Sequence, residues 1–196
     1  MVIKKDVKIA VFASGSGSNF ENIVKSLEKG ESKGFSVEIL ISDKKEALAL
    51  ERARKLGINC KYIDPRNFAT KKEFEEKIAM ELEKADIKYI VLAGYMRIIS
   101  KTLLEKYDRK IINIHPAYLP EFPGKDGIGD AFKAGVSETG VTIHYVDSGI
   151  DTGEIIYQEK INIEKKWDLK MLKENIHKLE HKIYPMVLTK IFGGEK

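Results

Sequence analysis

The chain has 196 residues, 43% of them hydrophobic, enough to bury the core of one large domain or of one domain with a small appendage; a single domain over 1–196 is the reading adopted. A net charge of +4 spread over 34 basic and 30 acidic residues is no nucleic-acid signature, although it suits a small anionic substrate. Cys60 is the only cysteine, which excludes an internal disulfide or a cysteine metal cluster; with no apolar run of about eighteen residues and no leader pattern after Met1, a cytoplasmic protein without a membrane partner is expected.

Val7 to Ala13 is a short apolar run that reads as a strand, and after a glycine-rich turn Phe20, Ile23, Val24 and Leu27 recur at helical spacing over Asn19 to Glu28. Val37 to Ile41 reads as a second strand, Lys45 to Leu56 as a helix closed by Gly57, and Cys60 to Ile63 as a third strand. Thr70 to Lys84 has the pattern of an amphipathic helix, Tyr89 to Ala93 of a fourth strand, Lys101 to Tyr107 of a short helix and Lys110 to Ile114 of a fifth strand. Such a rhythm predicts an α/β fold with a mostly parallel central sheet and helices on both faces. Beyond Pro116 the texture changes. Ala117 to Asp130, rich in Pro and Gly, reads as a functional loop, and Gly140 to Val146 with Glu154 to Ile163 as antiparallel C-terminal strands. A long C-terminal helix from about Asp168 to Phe192 closes the chain, kinked or interrupted near Pro185.

The densest chemical signal is Asn113-Ile114-His115-Pro116. Side chains at i and i+2 leave the same face of a strand, so Asn113 and His115 point the same way, and Pro116 ends the strand where open α/β sheets place their ligands. Asp151, in Asp147-Ser148-Gly149-Ile150-Asp151-Thr152-Gly153, completes a set of amide, imidazole and carboxylate. Asn113 can donate to an oxyanion, His115 can move a proton near neutral pH, and Asp151 can orient the imidazole or receive a proton. The set needs no Ser or Cys nucleophile if the substrate brings an amine.

Ser14-Gly15-Ser16-Gly17-Ser18-Asn19, between the first strand and first helix, can turn backbone N–H groups toward an anion. It is neither Gly-x-Gly-x-x-Gly nor a P-loop, which favours a single phosphate over a dinucleotide. The same residues would also serve as a tight βα turn with Ser18 or Asn19 as the helix cap. His144 alternates in a strand and receives no role. His177 and His181, one helical turn apart, lack the Glu and third ligand of a metal site, so no metal is expected.

Ser14 to Asn19, Ala93-Gly94-Tyr95-Met96-Arg97-Ile98, Asn113 to Pro116, Leu119-Pro120, Pro123-Gly124, Gly140 to Val146, Asp151-Thr152-Gly153 and Glu180-His181-Lys182-Ile183-Tyr184-Pro185 together resemble the phosphoribosylglycinamide formyltransferase family, nearly end to end. The resemblance implies a Rossmann-like formyltransferase fold, with a ribonucleotide-binding half at about 7–93 and a folate-binding and catalytic half at about 94–192. It implies transfer of the formyl group of 10-formyltetrahydrofolate, a co-substrate, to glycinamide ribonucleotide in purine synthesis by a monomer or homodimer. Carried over by position, Ser16, Gly17, Ser18, Asn19 and Lys71 would hold the phosphate, and Glu180 the glycinamide or ribose end. The pterin would lie against Met96, Arg97, Ile98, Ile99, Leu104, Ile111 and the run Val146, Asp147, Ser148, Gly149, Ile150. Asn113, His115 and Asp151 would be catalytic. Against the family pattern, Lys125 to Asp130 lacks a His common after the Pro-Gly pair, His177 replaces a lysine of some relatives, and Ser148 an acidic residue. The rival readings are a formyltetrahydrofolate hydrolase, which shares the catalytic elements, and a non-enzymatic nucleotide-binding regulatory module, which leaves those elements unexplained.

Overall fold

A computed structural model describes residues 6–194; residues 1–5, where a leader was sought, lie outside the described residues. In chain order the elements are β1 (Val7–Phe12), α1 (Ser18–Glu28), β2 (Phe35–Ser42), α2 (Leu48–Lys55), β3 (Asn59–Tyr62), α3 (Lys71–Lys84), β4 (Tyr89–Leu92), α4 (Lys101–Lys106), β5 (Ile111–His115), α5 (Gly127–Ala134), β6 (Glu138–Tyr145), β7 (Ile155–Asn162) and α6 (Leu169–Phe192). One seven-stranded sheet runs in the order β3-β2-β1-β4-β5-β6-β7. The first five strands pair in parallel, whereas β5 with β6 and β6 with β7 pair antiparallel. Strand order reverses between β1 and β4, the switch point at which such sheets open a crevice at the strands' carboxyl ends.

Strand alternation divides the core in two. Ile9 and Val11 of β1 join Phe20 and Ile23 of α1 and Ile176, Ile183 and Leu188 of α6, while Ala10 and Phe12 join Phe74, Ile78 and Leu82 of α3 and Leu103 of α4. Apolar residues on both faces are what a parallel strand covered by helices requires. Tyr184, fully buried, donates from its hydroxyl to the Leu92 carbonyl at 2.9 Å, with the Ile112 carbonyl at 3.3 Å. It thereby ties α6 to β4 and β5 beside the crevice.

Three sequence expectations need correction. Helix α2 begins at Leu48 rather than Lys45, because the Ser42 hydroxyl accepts from the Lys44 amide and holds the intervening chain in a turn. The stretch Ala117 to Asp130, read wholly as loop, contains the start of α5; Asp126 caps that helix by accepting from the Gly129 amide, and Gly135 ends it at φ 65°. Gly127 and Gly129 hide it from a propensity reading. Finally, of the kink or interruption expected at Pro185, the interruption does not occur: α6 runs unbroken over Leu169–Phe192. A proline removes the bond to the carbonyl four residues earlier, and that carbonyl, of His181, instead accepts from Asn22 Nδ2 at 2.6 Å. Among the described residues no helix is long and apolar enough to cross a membrane.

Candidate active site

A cavity of about 520 Å³ opens at the switch point. Its wall takes residues 15–19 after β1, 92–99 from the end of β4 onward, 113–116 at the end of β5, Gly124 and Lys125, His144, five residues of the loop after β6, and His177 and Glu180 from α6.

The loop after β1 is shaped by backbone needs. Gly17 is the N-cap of α1 at φ 71° with no side-chain cap bond, so neither Ser18 nor Asn19 caps the helix as the sequence allowed. A Cβ at Gly17 would stand 2.6 Å from Ala49 Cβ and 2.7 Å from Ala49 Cα, so glycine is required by conformation and by space. Helix α2 buttresses the loop further: the Ala49 amide donates to the Gly15 carbonyl at 3.1 Å, and Arg52 Nε to the Ser16 carbonyl at 2.9 Å while its guanidinium pairs with Glu21. The start of α1, whose first N–H groups have no intrahelical acceptor, is thus held in the cavity wall. Asn19 lines the same wall, with its Oδ1 buried and lacking a donor among the described residues.

At the end of β5 the structure brings Asn113, His115 and Asp151 together and adds His144. The β5–β6 register sets Asn113 opposite His144, and Asn113 Nδ2 lies 3.1 Å from His144 Nε2. With Nδ1 donating to the Tyr145 carbonyl at 2.8 Å, a neutral His144 accepts the Asn113 amide at Nε2. The ring of His115 has its Nε2 2.8 Å from the Phe122 carbonyl and its Nδ1 3.4 Å from Asp151 Oδ2. Because the carbonyl can only accept, Nε2 carries the hydrogen, and a second proton at Nδ1 would face the carboxylate.

Asp151 sits at φ 54°, a left-handed conformation that Asp tolerates better than most residues. Its Oδ2 accepts from the Gly124 amide at 2.7 Å, and its Oδ1 lies 3.6 Å from His144 Nε2. Burial pushes its carboxyl up, but the neighbouring imidazoles of His144 and His115 and the Gly124 hydrogen bond outweigh this and hold it below the usual carboxylate range. It is therefore ionised at neutral pH. The loop carrying it is folded by Asp147, whose Oδ1 accepts from the Gly149 amide (2.9 Å) and the Thr152 hydroxyl (2.8 Å). A Cβ at Gly153 would stand 1.7 Å from the Tyr145 carbonyl oxygen, which accounts for the glycine of Asp-x-Gly.

On α6, His177 Nδ1 lies 2.7 Å from Glu180 Oε2, a partner that raises the histidine's pKa above 6.5 against the opposing effect of burial. Met96, Ile98 and Ile150 leave large apolar side chains exposed around the cavity, each 56% accessible.

Most residues picked from sequence therefore share one wall, but Lys71, Leu104, Ile111 and Ser148 do not line it. Ile111 opens β5, at the strand end away from Asn113 and His115, and is buried in the core with Tyr107 and Leu103. Leu104 packs against that same cluster from α4. Lys71, the first residue of α3, is exposed, as is Ser148 in its turn. His144 was missed: periodicity puts it in a strand, but its place beside Asn113 comes only from the β5–β6 register. The support that Ala49 and Arg52 give the loop has no local motif. Among the described residues no group of three His, Cys, Asp or Glu could hold a metal ion.

Comparison with known proteins gives the chain its relatives. The family described as formyl transferase matches residues 7–188. The phosphoribosylglycinamide formyltransferase of Bacillus subtilis (strain 168) is 48% identical over 193 residues, 96% of this chain and 98% of the relative. The trifunctional purine biosynthetic protein adenosine-3 of Homo sapiens is 35% identical over 97% of this chain, which spans 19% of that longer protein. Among solved structures, glycinamide ribonucleotide transformylase 1 from Geobacillus kaustophilus superposes with a TM-score of 0.93 at 46% identity, covering 96% of this chain and 100% of that one. The phosphoribosylglycinamide formyltransferase from Streptococcus pneumoniae TIGR4 gives 0.89 at 44% identity, covering 95% and 99%. With the Rossmann-like sheet, its antiparallel C-terminal strands and its long last helix shared with these structures, the chain belongs to the phosphoribosylglycinamide formyltransferase family.

Proposed function

We propose that the chain transfers the formyl group of 10-formyltetrahydrofolate to the primary amine of glycinamide ribonucleotide, releasing N-formylglycinamide ribonucleotide and tetrahydrofolate. The observation that carries this reading is the convergence of Asn113, His115 and Asp151 on a cavity that also has a helix N-terminus ready for an anion. The cavity suits both substrates: Met96, Ile98 and Ile150 supply an apolar surface for a flat ring system, and the 15–19 loop supplies N–H donors for a phosphate.

In this account the phosphate is held at Ser16, Gly17, Ser18 and Asn19, and Glu180 with His177 holds the ribose or glycinamide end. The folate lies along Met96, Arg97, Ile98, Ile99 and the 146–150 loop, whose wall residues are Val146, Asp147, Gly149 and Ile150. Anchoring both partners makes amine attack on the formyl carbon effectively intramolecular. Asn113 Nδ2 then donates to the formyl oxygen as it gains charge, and its bond to His144 keeps the amide turned correctly. His115 takes up at Nδ1 a proton released by the attacking amine and becomes an imidazolium, while its Nε2–H stays on the Phe122 carbonyl. Ionised Asp151 stabilises that imidazolium across 3.4 Å and directs the proton toward the departing folate nitrogen. Loss of Asn113 should lower turnover about 100-fold or more.

An absorbance assay of folate deformylation, run with and without glycinamide ribonucleotide, tests the reading. Release that depends on the ribonucleotide supports it. Equal release without the ribonucleotide would identify a hydrolase, and no release would leave a binding module.

A further inference from the structure

Beneath the cavity, outside its lining, Ser14 and the buried Asp43 form a pair that the reaction above does not use. Ser14 lies two residues beyond the end of β1, and Asp43 follows β2 directly. The Ser14 hydroxyl donates to Asp43 Oδ1 at 2.6 Å and accepts the amide of Met96 at 2.9 Å. The Ser14 amide also donates to the Gly94 carbonyl at 3.0 Å. One residue thus grips the chain after β4 at two points, around Gly94, whose φ is 74°. The other oxygen of Asp43 lies 4.0 Å from an Arg97 guanidinium nitrogen, and that guanidinium packs over the Phe74 ring at 5.3 Å.

These contacts have a direction. Asp43, 4% exposed, is acceptor-only when ionised, so it obliges the Ser14 hydroxyl to point its hydrogen inward and its lone pair at Met96 N–H. Without the carboxylate the hydroxyl could rotate and release the amide. Met96 and Ile98 are exposed apolar residues on the 94–99 segment of the wall, and a surface loop carrying such side chains needs backbone anchors to stay in a binding-competent shape. Loop 15–19, which starts one residue on from Ser14, is anchored separately by Ala49 and Arg52.

We propose that Ser14 and Asp43 are positioning residues for the folate, acting through the Met96 amide and touching neither substrate. This rests on the assignment of the 94–99 segment to the folate, and its test separates the two claims. Binding of 10-formyl-5,8-dideazafolate to the wild-type protein is measured first; no binding would overturn the folate assignment. Hydrogen exchange at the Met96 amide needs no ligand and judges the clamp by itself. In Ser14→Ala, Met96 should exchange faster while Ala93, whose amide donates to the Phe12 carbonyl, does not change. The Kd for the analogue should rise about tenfold, the effect of losing one hydrogen bond, with kcat at saturating folate changed less than about threefold. Ser14→Thr, which retains the hydroxyl, should restore affinity. If Ser14→Ala does not fold, Asp43→Ala carries the test, because it leaves the hydroxyl present but unanchored. A folded variant that frees the Met96 amide yet binds the analogue at wild-type strength would overturn the proposal, as would unchanged exchange at Met96.

Discussion

Replacing Asp151 by Asn removes one negative charge and little else. The amide keeps an oxygen to accept from the Gly124 amide, and Asn tolerates the φ of 54° that this position adopts. What disappears is the attraction between a carboxylate and an imidazolium at His115, whose Nδ1 lies 3.4 Å from Asp151 Oδ2. Two unit charges at that distance attract by about 5 kcal/mol at an effective dielectric of about 20 and by about 1 kcal/mol in bulk water. The side chains are 4% and 14% exposed, which sets the pair between those limits; about 3 kcal/mol corresponds to roughly a 100-fold loss in kcat. In the mechanism proposed above the imidazolium forms with the proton from the attacking amine, so the loss should fall on kcat and not on either Michaelis constant. Steady-state rates with each substrate varied at saturation of the other provide the assay. A kcat within threefold of wild type would refute the electrostatic role, and a change confined to a Michaelis constant would make Asp151 a binding residue only.

Other perturbations reach different parts of the account. Gly17→Ala must carry a side chain at φ 71° against Ala49, at about 1–2 kcal/mol for the conformation alone; it should raise the Michaelis constant for the ribonucleotide about tenfold or more with a smaller change in kcat, measured by initial rates. His177 has its pKa raised by Glu180, so it remains protonated past pH 6.5, and ribonucleotide affinity should fall as pH rises through that raised value. His177→Gln should flatten this limb in calorimetric titrations, leaving only the weakening below about pH 6 where the phosphate itself gains a proton. Tyr184→Phe removes the hydroxyl that bonds the Leu92 carbonyl and should cost about 1 kcal/mol, lowering Tm by about 2–4 °C in calorimetry for a domain of this size.

The parallel half of the sheet was legible because most of its strands are short apolar runs between helical patterns, and the alternation of β1 matches the two core clusters that meet there. Asn113 and His115 were legible for a related reason: strand periodicity alone sets them on one side. Their partner His144 was not, since its role depends on register across β5 and β6, a relation between residues 31 apart. The interruption expected at Pro185 does not occur because the carbonyl it frees accepts from Asn22 on another helix, a bond no local sequence shows. Glycines concealed α5, and the supports of the loop after β1 come from α2, so neither leaves a local trace. Lys71, Leu104, Ile111 and Ser148 were carried over by position in the chain, and position alone does not say which way a side chain faces.

The formyl group should pass from folate to the ribonucleotide amine within this site. Donor labelled with ¹³C at the formyl carbon, incubated with glycinamide ribonucleotide and the protein, tests it by mass spectrometry of the ribonucleotide. The account predicts that the ribonucleotide gains one labelled formyl group, and that His115→Ala nearly abolishes the gain while leaving ribonucleotide binding intact. Label recovered as free formate would contradict it.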